Sequence, residues 1–386
     1  MNTDHRESTP PAIARVSAHV LRWPVQVPVR TSFGVMHDRP AVFVRVEDGE
    51  GAHGWGEAWC NFPACGAEHR ARLIETVLAP LLVGRAFPSP QAAYREMTDK
   101  TAVLAIQSGE FGPIAQAIAG VDIALHDLAA RRAGVPLWQH LAGSDAATAS
   151  IGQPSVAVYA SGINPDRPGP TVEALRRAGH TRFKLKVGFG AARDVENLAA
   201  VRAAAGDDAD VMVDANQAWD VDTAVEMAGR LAKYRPSWLE EPLRADRPWH
   251  EWQRVAAASP IPLAAGENAI GEAAFAALTA SGAVRVVQPD AAKWGGLSAM
   301  LGLAERTEAA GLRFCPHYLG GGIGLLASAH VLAARARSGE WLEVDSNENP
   351  LRTSYCPPLA SLSGGQITLD ASPALGVEPG IEPMAP

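Results

Sequence analysis

The sequence predicts an α/β chain: a closed β/α barrel of the TIM type, preceded by a separate α+β region. Three observations carry this. From about Val156 onward, short apolar strands alternate with helical runs, and that alternation means a parallel sheet. Eight such units within roughly 200 residues are what a closed barrel needs. Ahead of them the chain lacks the alternation, and its 386 residues exceed what one hydrophobic core organises, so a second domain is expected.

Taken in order, residues 12–60 read as β. Val42, Val44 and Val46 alternate with other residues, Glu47-Asp48-Gly49-Glu50-Gly51 supplies turn chemistry, and Trp55-Gly56-Glu57-Ala58-Trp59 returns as a second strand. Before this hairpin, Arg30 to Pro40 reads as a polar loop with Thr31, Ser32, Gly34, His37 and Asp38. A solvated connection or a lid over a site elsewhere would account for it. Helical spacing of Leu73, Val77 and Leu81 predicts a first helix, Pro88 to Leu104 a second, and Pro113 to Arg132 a third with Ile114, Ile118, Val121, Leu125 and Leu128 on one stripe. Asp122 and Asp127, among apolar neighbours, are expected to cap or pair.

The eight barrel strands are read at Val156–Tyr159, Phe183–Lys186, Val211–Asp214, Trp238–Glu241, Leu263–Glu267, Val284–Gln288, Arg313–His317 and Trp341–Val344. Helices between them are expected at Val195–Ala205, Val221–Tyr234, Gly271–Ser281 and Ser298–Gly311. Beyond Asn349 the chain reads as strand and turn, with Gly364-Gly365 as a hairpin turn, and is expected to return to the first domain.

Composition narrows the function classes. The chain is 47% hydrophobic and 20% charged, an ordinary globular mixture, and its net charge of -8 argues against nucleic acid as a main partner. Its four cysteines, Cys60, Cys65, Cys315 and Cys356, show no zinc-ribbon pairing and read as a reduced, cytoplasmic set. Met1 to Pro11 lacks the apolar core of a signal peptide and reads as a disordered tail. No stretch approaches the run of about 18 to 20 apolar residues that a membrane helix needs.

A barrel enzyme places its reacting groups at the C-terminal ends of its strands. The apolar residues of each strand are explained by the core; what ends them is not. The second strand ends in Lys184 and Lys186, the third in Asp214 with Asn216 beyond, the fourth in Glu240 and Glu241, the fifth in Glu267. The sixth runs into Asp290, the seventh into His317 and the eighth into Glu343. Side chains at i and i+2 share a face, so the two lysines should depress each other's pKa and favour a neutral base. Asp214, Glu240 and Glu267 come from neighbouring strands. Three carboxylates suit Mg²⁺ or Mn²⁺ better than zinc, although an ion-pair network with the lysines would also use them. Asp290 beside His317 would fix the imidazole tautomer and raise its basicity.

With these residues in hand, the chain resembles the enolase superfamily, and within it the mandelate racemase subgroup. The likeness rests on Lys184-Leu185-Lys186, Val213-Asp214-Ala215-Asn216, Glu240-Glu241-Pro242, Gly266-Glu267-Asn268, the run Pro289-Asp290 to Gly295-Gly296, and His317. Gly54-Trp55-Gly56-Glu57, the segment Ala124 to Leu128 and Pro373 to Glu378 extend it over nearly the whole chain. The resemblance implies a modified (β/α)7β barrel at residues 146–348, under an α+β capping domain at 12–145 that residues 349–386 complete. It implies one Mg²⁺ per subunit held by Asp214, Glu240 and Glu267, Lys186 as one general base and the His317–Asp290 dyad as the other acid/base. Lys184 would contact the substrate carboxylate, and Glu343 would hydrogen-bond the developing enediolate. A homo-oligomer is the family habit. Lys293 sits near the place where cycloisomerase-like members carry a second lysine.

The expected reaction removes the proton α to a carboxylate through an enediolate, and the residues favour dehydration of a sugar acid or other hydroxy acid to a 2-keto acid. His37, Asn216, Asn268 and Tyr318 suit hydroxyl groups, while Trp59 could line a more apolar pocket. The same two bases would serve a racemase or epimerase. A metal-independent Schiff-base lyase using Lys186 as nucleophile belongs to another class, and a barrel retained only for binding to a third.

Overall fold

A computed structural model of the chain describes residues 10–30, 34–143 and 153–381. The expected tail lies outside the described residues as far as residue 9, as do Thr31, Ser32 and the expected boundary near residue 145. Strands β1 (Ile13–Arg30), β2 (Val35–Asp48) and β3 (His53–Ala58) form an antiparallel sheet. The stretch expected as a polar loop is therefore largely hairpin: Asp38 pairs with Pro24 and Met36 with Val29. Pairing with the preceding strand, which the polarity of the stretch does not report, overrides the loop signal.

Strand alternation splits β2 between two cores. Val42, Val44 and Val46 join the cap's own core, whereas Ala41 and Phe43 join the cluster shared with the barrel. The helix Phe111–Ala133 closes the cap, with its expected stripe buried. It lies so close to β3 that a Cβ on Gly56 would stand 2.1 Å from the Gly120 carbonyl oxygen, so only glycine fits there.

All eight expected barrel strands form. They are β4 (Ser155–Ile163), β5 (Arg182–Lys186), β6 (Asp210–Asp214), β7 (Leu239–Glu240), β8 (Leu263–Ala265), β9 (Val284–Val287), β10 (Arg313–Phe314) and β11 (Leu342–Asp345). Their order is β10-β9-β8-β7-β6-β5-β4-β11, parallel throughout. The ends of this row meet where the Glu343 amide donates to the Pro316 carbonyl at 3.2 Å. The interior is packed by Tyr159, Met212, Trp238, Ala264, Val286, Cys315 and Trp341, a filled core rather than a pore.

Several strands stop short of expectation. β8 ends before Gly266, whose φ of +142° no ordinary side chain adopts easily. β10 ends before Pro316, which has no N–H to give to a ladder. Glu267 and His317 thus sit on the loops beyond their strands.

The last segment touches both units. β12 (Gln366–Thr368), after the expected turn at Gly364-Gly365, pairs antiparallel with β4. Further on, the Leu375 amide donates to Asp127 at 2.7 Å and the Trp55 indole to Glu378 at 2.6 Å. Asp122 and Asp127 do cap and pair: Asp122 accepts from the Ser298 amide at 2.9 Å at the start of the barrel helix Gly296–Ala309. Buried Arg39 of the cap bonds Asp345 of β11 at 2.7 Å, and Arg352 bonds the same carboxylate at 3.0 Å.

Two outcomes are expected from this packing. Although burial opposes it, Arg39 and Arg352 bring the Asp345 carboxyl from 3.8 down to about 2. Asp345→Asn leaves two guanidiniums buried without their counter-ion, a loss of about 3–5 kcal/mol in urea unfolding. Because the folded pKa is the lower one, the difference from wild type should be full above pH 4 and shrink as pH falls from about 4 to about 2. Gly56→Ala should cost about 3 kcal/mol through overpacking against the helix, read as a fall in Tm.

Candidate active site

The barrel ladder sets the first tier of the site. Lys186 pairs in register with Asp214, and Asp214 with Glu240, so three neighbouring strands end their polar residues at one level. Lys184, one pleat lower, is fully buried. Its ammonium bonds Glu240 at 2.5 Å and Glu343 at 2.9 Å, with Asp214 at 3.6 Å. Lys186 bonds Asp214 at 2.5 Å.

The second tier comes from loops. Asp290 and His317 follow the paired strand ends Val287 and Phe314 at equal spacing, which keeps them adjacent. His317 Nδ1 lies 2.8 Å from Asp290 Oδ2, and its Nε2 lies 2.7 Å from Glu267 Oε2. Lys293 stands 3.5 Å from Glu267 and over the Trp59 ring at 4.7 Å. Asn268 donates to both Glu241 oxygens, at 3.0 and 2.9 Å, and to Glu267 at 3.0 Å.

These pairings reverse one expectation. The lysines are not pushed toward neutrality. Burial pulls Lys186 down and Lys184 adds to that, but Asp214, Glu240 and Glu267 outweigh them and raise its pKa. Burial likewise opposes Lys184, and Glu240 and Glu343 hold it well above its ordinary value. Two lysines on one face repel as the pleat predicts; the acids of neighbouring strands are simply more numerous. His317 is raised to about 10 against burial, chiefly by Glu267 and Glu343. Burial opposes it, but Lys184, His317 and Lys186 together lower the Glu343 pKa, whereas the hydrogen bond expected from Glu343 to an enediolate calls for a proton on that carboxyl.

The three expected metal ligands share this network. Asp214 and Glu240 are engaged by the lysines, and Glu267 by His317 and Lys293. As the side chains stand, no three acidic, histidine or cysteine groups among the described residues converge on one point. The charge balance nevertheless fits a hard cation. Among the described residues, Asp214, Glu240, Glu241, Glu267, Asp290 and Glu343 form ion pairs with Lys184, Lys186, Lys293 and His317 or stand beside those that do, six acids to four bases, an excess of two negative charges when all are ionised. Burial and this crowding act in the same direction. Burial and then Asp214 lift Glu240 to about 8, and burial and then Glu267 lift Glu241 well above the carboxylate range. A divalent cation on these oxygens would relieve both.

Of the other expected substrate contacts, Asn216 sits against Asp214, donating its amide at 2.8 Å and its side chain at 3.3 Å. Trp59 is tied to the Asp290 loop by its amide, which donates to Ala292 at 3.1 Å. Tyr318 is buried, its hydroxyl beside the Glu57 carboxylate. His37 is exposed on β2. Asn216, Gln217 and Glu241 all have positive φ, at 44°, 65° and 37°, the kind of backbone strain that gathers at functional sites.

Sequence reasoning missed the groups that hold these acids from below. Gln288 donates to Glu240 at 2.6 Å, Trp238 to the same oxygen at 3.2 Å, and Tyr159 to Glu343 at 3.1 Å. Gln288 ends a strand and was open to the same rule as the others. Tyr159 and Trp238 look like ordinary core residues in sequence.

Comparison with known proteins places this arrangement. Residues 14–142 match the mandelate racemase / muconate lactonizing enzyme N-terminal domain, and residues 170–382 the enolase C-terminal domain-like family. The D-galactarolactone cycloisomerase of Agrobacterium fabrum is 30% identical over 95% of this chain and 96% of its own. The D-galactonate dehydratase of Ralstonia nicotianae is 30% identical over 87% of this chain and 88% of its own. The crystal structure of a mandelate racemase/muconate lactonizing enzyme from Bordetella bronchiseptica RB50 superposes with a TM-score of 0.89 at 57% identity, covering 96% of this chain and 97% of that one. The chain therefore belongs to the mandelate racemase / muconate lactonizing enzyme family of the enolase superfamily.

Proposed function

We propose that this enzyme abstracts the proton α to a carboxylate and dehydrates a sugar acid, or a related hydroxy acid, to a 2-keto acid. The observation that carries the reading is the meeting of Lys186 and the His317–Asp290 pair at one cluster of crowded acids. Asp214, Glu240 and Glu267 are the residues that would hold Mg²⁺, one per subunit. When bound, the ion supplies Lewis acidity for the second negative charge of the enediolate.

The chain's own groups do the rest. Lys186 is the base: Lys184 beside it favours its neutral form, and Asp214, which favours the charged form, would hold that proton less firmly as a ligand to the ion. Lys184 orients the substrate carboxylate. His317, held by Asp290 through Nδ1, gives its Nε2 proton to the departing β-hydroxyl. Asn216, Asn268, Tyr318 and His37 are the candidates for reading the remaining hydroxyls, and Trp59 for lining a more apolar wall. All four cysteines are free thiols, which suits a cytoplasmic enzyme, and a homo-oligomer fits the family.

A racemase would use the same two bases, with His317 returning the proton to carbon. A Schiff-base lyase is disfavoured, because Asp214 holds Lys186 protonated and an ammonium is no nucleophile.

The test is purified protein with Mg²⁺ and a panel of aldonic and aldaric acids, galactonate and galactarate among them, followed by 2-keto acid formation. Deuterium uptake at Cα without keto product would mark a racemase, and trapping of substrate on Lys186 by borohydride would overturn the reading. Excess EDTA should reduce turnover at least 100-fold, with recovery on adding Mg²⁺. Lys186→Ala should lose about 10²–10⁴-fold in kcat, as removal of a general base does. His317→Asn should abolish keto-acid formation while Cα exchange in D₂O persists.

A further inference from the structure

The loop that follows His317 is held by the other domain. Glu57, on β3 of the cap, is almost fully buried. One of its oxygens accepts from the Gly321 amide at 2.5 Å and the other from the Gly324 amide at 2.9 Å. Asn61, also of the cap, donates to the Leu319 carbonyl at 2.7 Å, and Asn349 donates to the Gly320 carbonyl at 2.9 Å. Successive peptides after His317 are thus held by the cap and by the segment that follows β11.

The barrel does not do this for itself. The helix Gly322–Arg335 has no side-chain cap of its own, since Gly321 stands at the N-cap position. Its first amides need an acceptor, and a carboxylate at that end is favoured by the helix dipole. Glu57 provides it from the cap. The glycines leave room for it: a Cβ on Gly321 would lie 2.8 Å from Glu57 Oε1. Tyr318, between His317 and this nest, is packed against the same carboxylate.

We infer that Glu57 is a positioning residue for the acid/base histidine, so that docking of the cap sets where His317 sits. The inference rests on the acid/base role given to His317 above. It concerns the loop 318–321 and leaves the Lys186 side of the site, on β5, untouched.

Two variants, Glu57→Ala and Glu57→Gln, and two readouts decide it. The first needs no substrate: amide hydrogen exchange of the full chain, followed by mass spectrometry. In Glu57→Ala, exchange across residues 315–325 should quicken at least tenfold while residues 182–188 stay at the wild-type rate. Equal quickening of both segments would mean general loosening and would overturn the inference, as would no change in either. The second readout uses whichever acid of the panel wild type turns over. Keto-acid formation should fall at least 50-fold in kcat with KM within threefold, while Cα exchange in D₂O stays within threefold. Glu57→Gln, keeping one acceptor oxygen, should fall between wild type and alanine. Parallel loss of both reactions, or loss of neither, would refute the positioning role. If wild type turns over none of the acids, the functional reading fails, and the exchange experiment still decides whether Glu57 holds the loop.

Discussion

A lysine ammonium with no exposure to solvent sits at the floor of the barrel mouth, held by carboxylates from three different strands. Lys184 cannot be there alone, because an unpaired buried charge is too costly to keep. Glu240, Glu343 and Asp214 surround it at 2.5, 2.9 and 3.6 Å. Those acids in turn are oriented by Gln288, Trp238 and Tyr159. The barrel's closure is tied to the same place, since the Glu343 amide is also the backbone donor that joins the two ends of the sheet. Charge pairing and barrel geometry are therefore one constraint: strands displaced by one residue would turn these groups into the core or away from one another.

Above that floor the charges do not balance. More acids than bases crowd the mouth, and burial followed by that crowding raises the pKa of Glu240 and Glu241. A purely structural ion-pair network would have matching partners, and this one does not. On the proposed reading, Asp214, which raises the Lys186 pKa as it stands, would be both the partner that holds the base's proton and a ligand to the ion.

The cap is more than a cover. It sends Glu57 and Asp122 across to the starts of two barrel helices, and Arg39 to the end of β11. Each of these groups is buried and each completes a bond the barrel leaves open. Loops in a barrel enzyme carry the chemistry, and here the loops after β9 and β10 are shaped partly by residues of another domain.

Much of this was legible in the chain. The alternation of apolar strands and helices, with a polar residue ending strand after strand, determined the barrel and named Lys184, Lys186, Asp214, Glu240, Glu267, Asp290, His317 and Glu343, because strand period and strand ends are local properties. The helical stripe of Ile114 to Leu128 was equally plain. The polar stretch from Arg30 to Pro40 misled, since polarity marks exposure and not whether the backbone pairs with β1. The protonation of the lysines was also misjudged: sequence puts Lys184 beside Lys186, but only folding brings Asp214, Glu240 and Glu343 around them. Glu57 read as an ordinary strand residue, and its partners lie more than 260 positions away. The sequence by itself determined which residues each strand offers to the rim; the tertiary structure alone decided which of them touch, and in a buried site it is touching that sets charge.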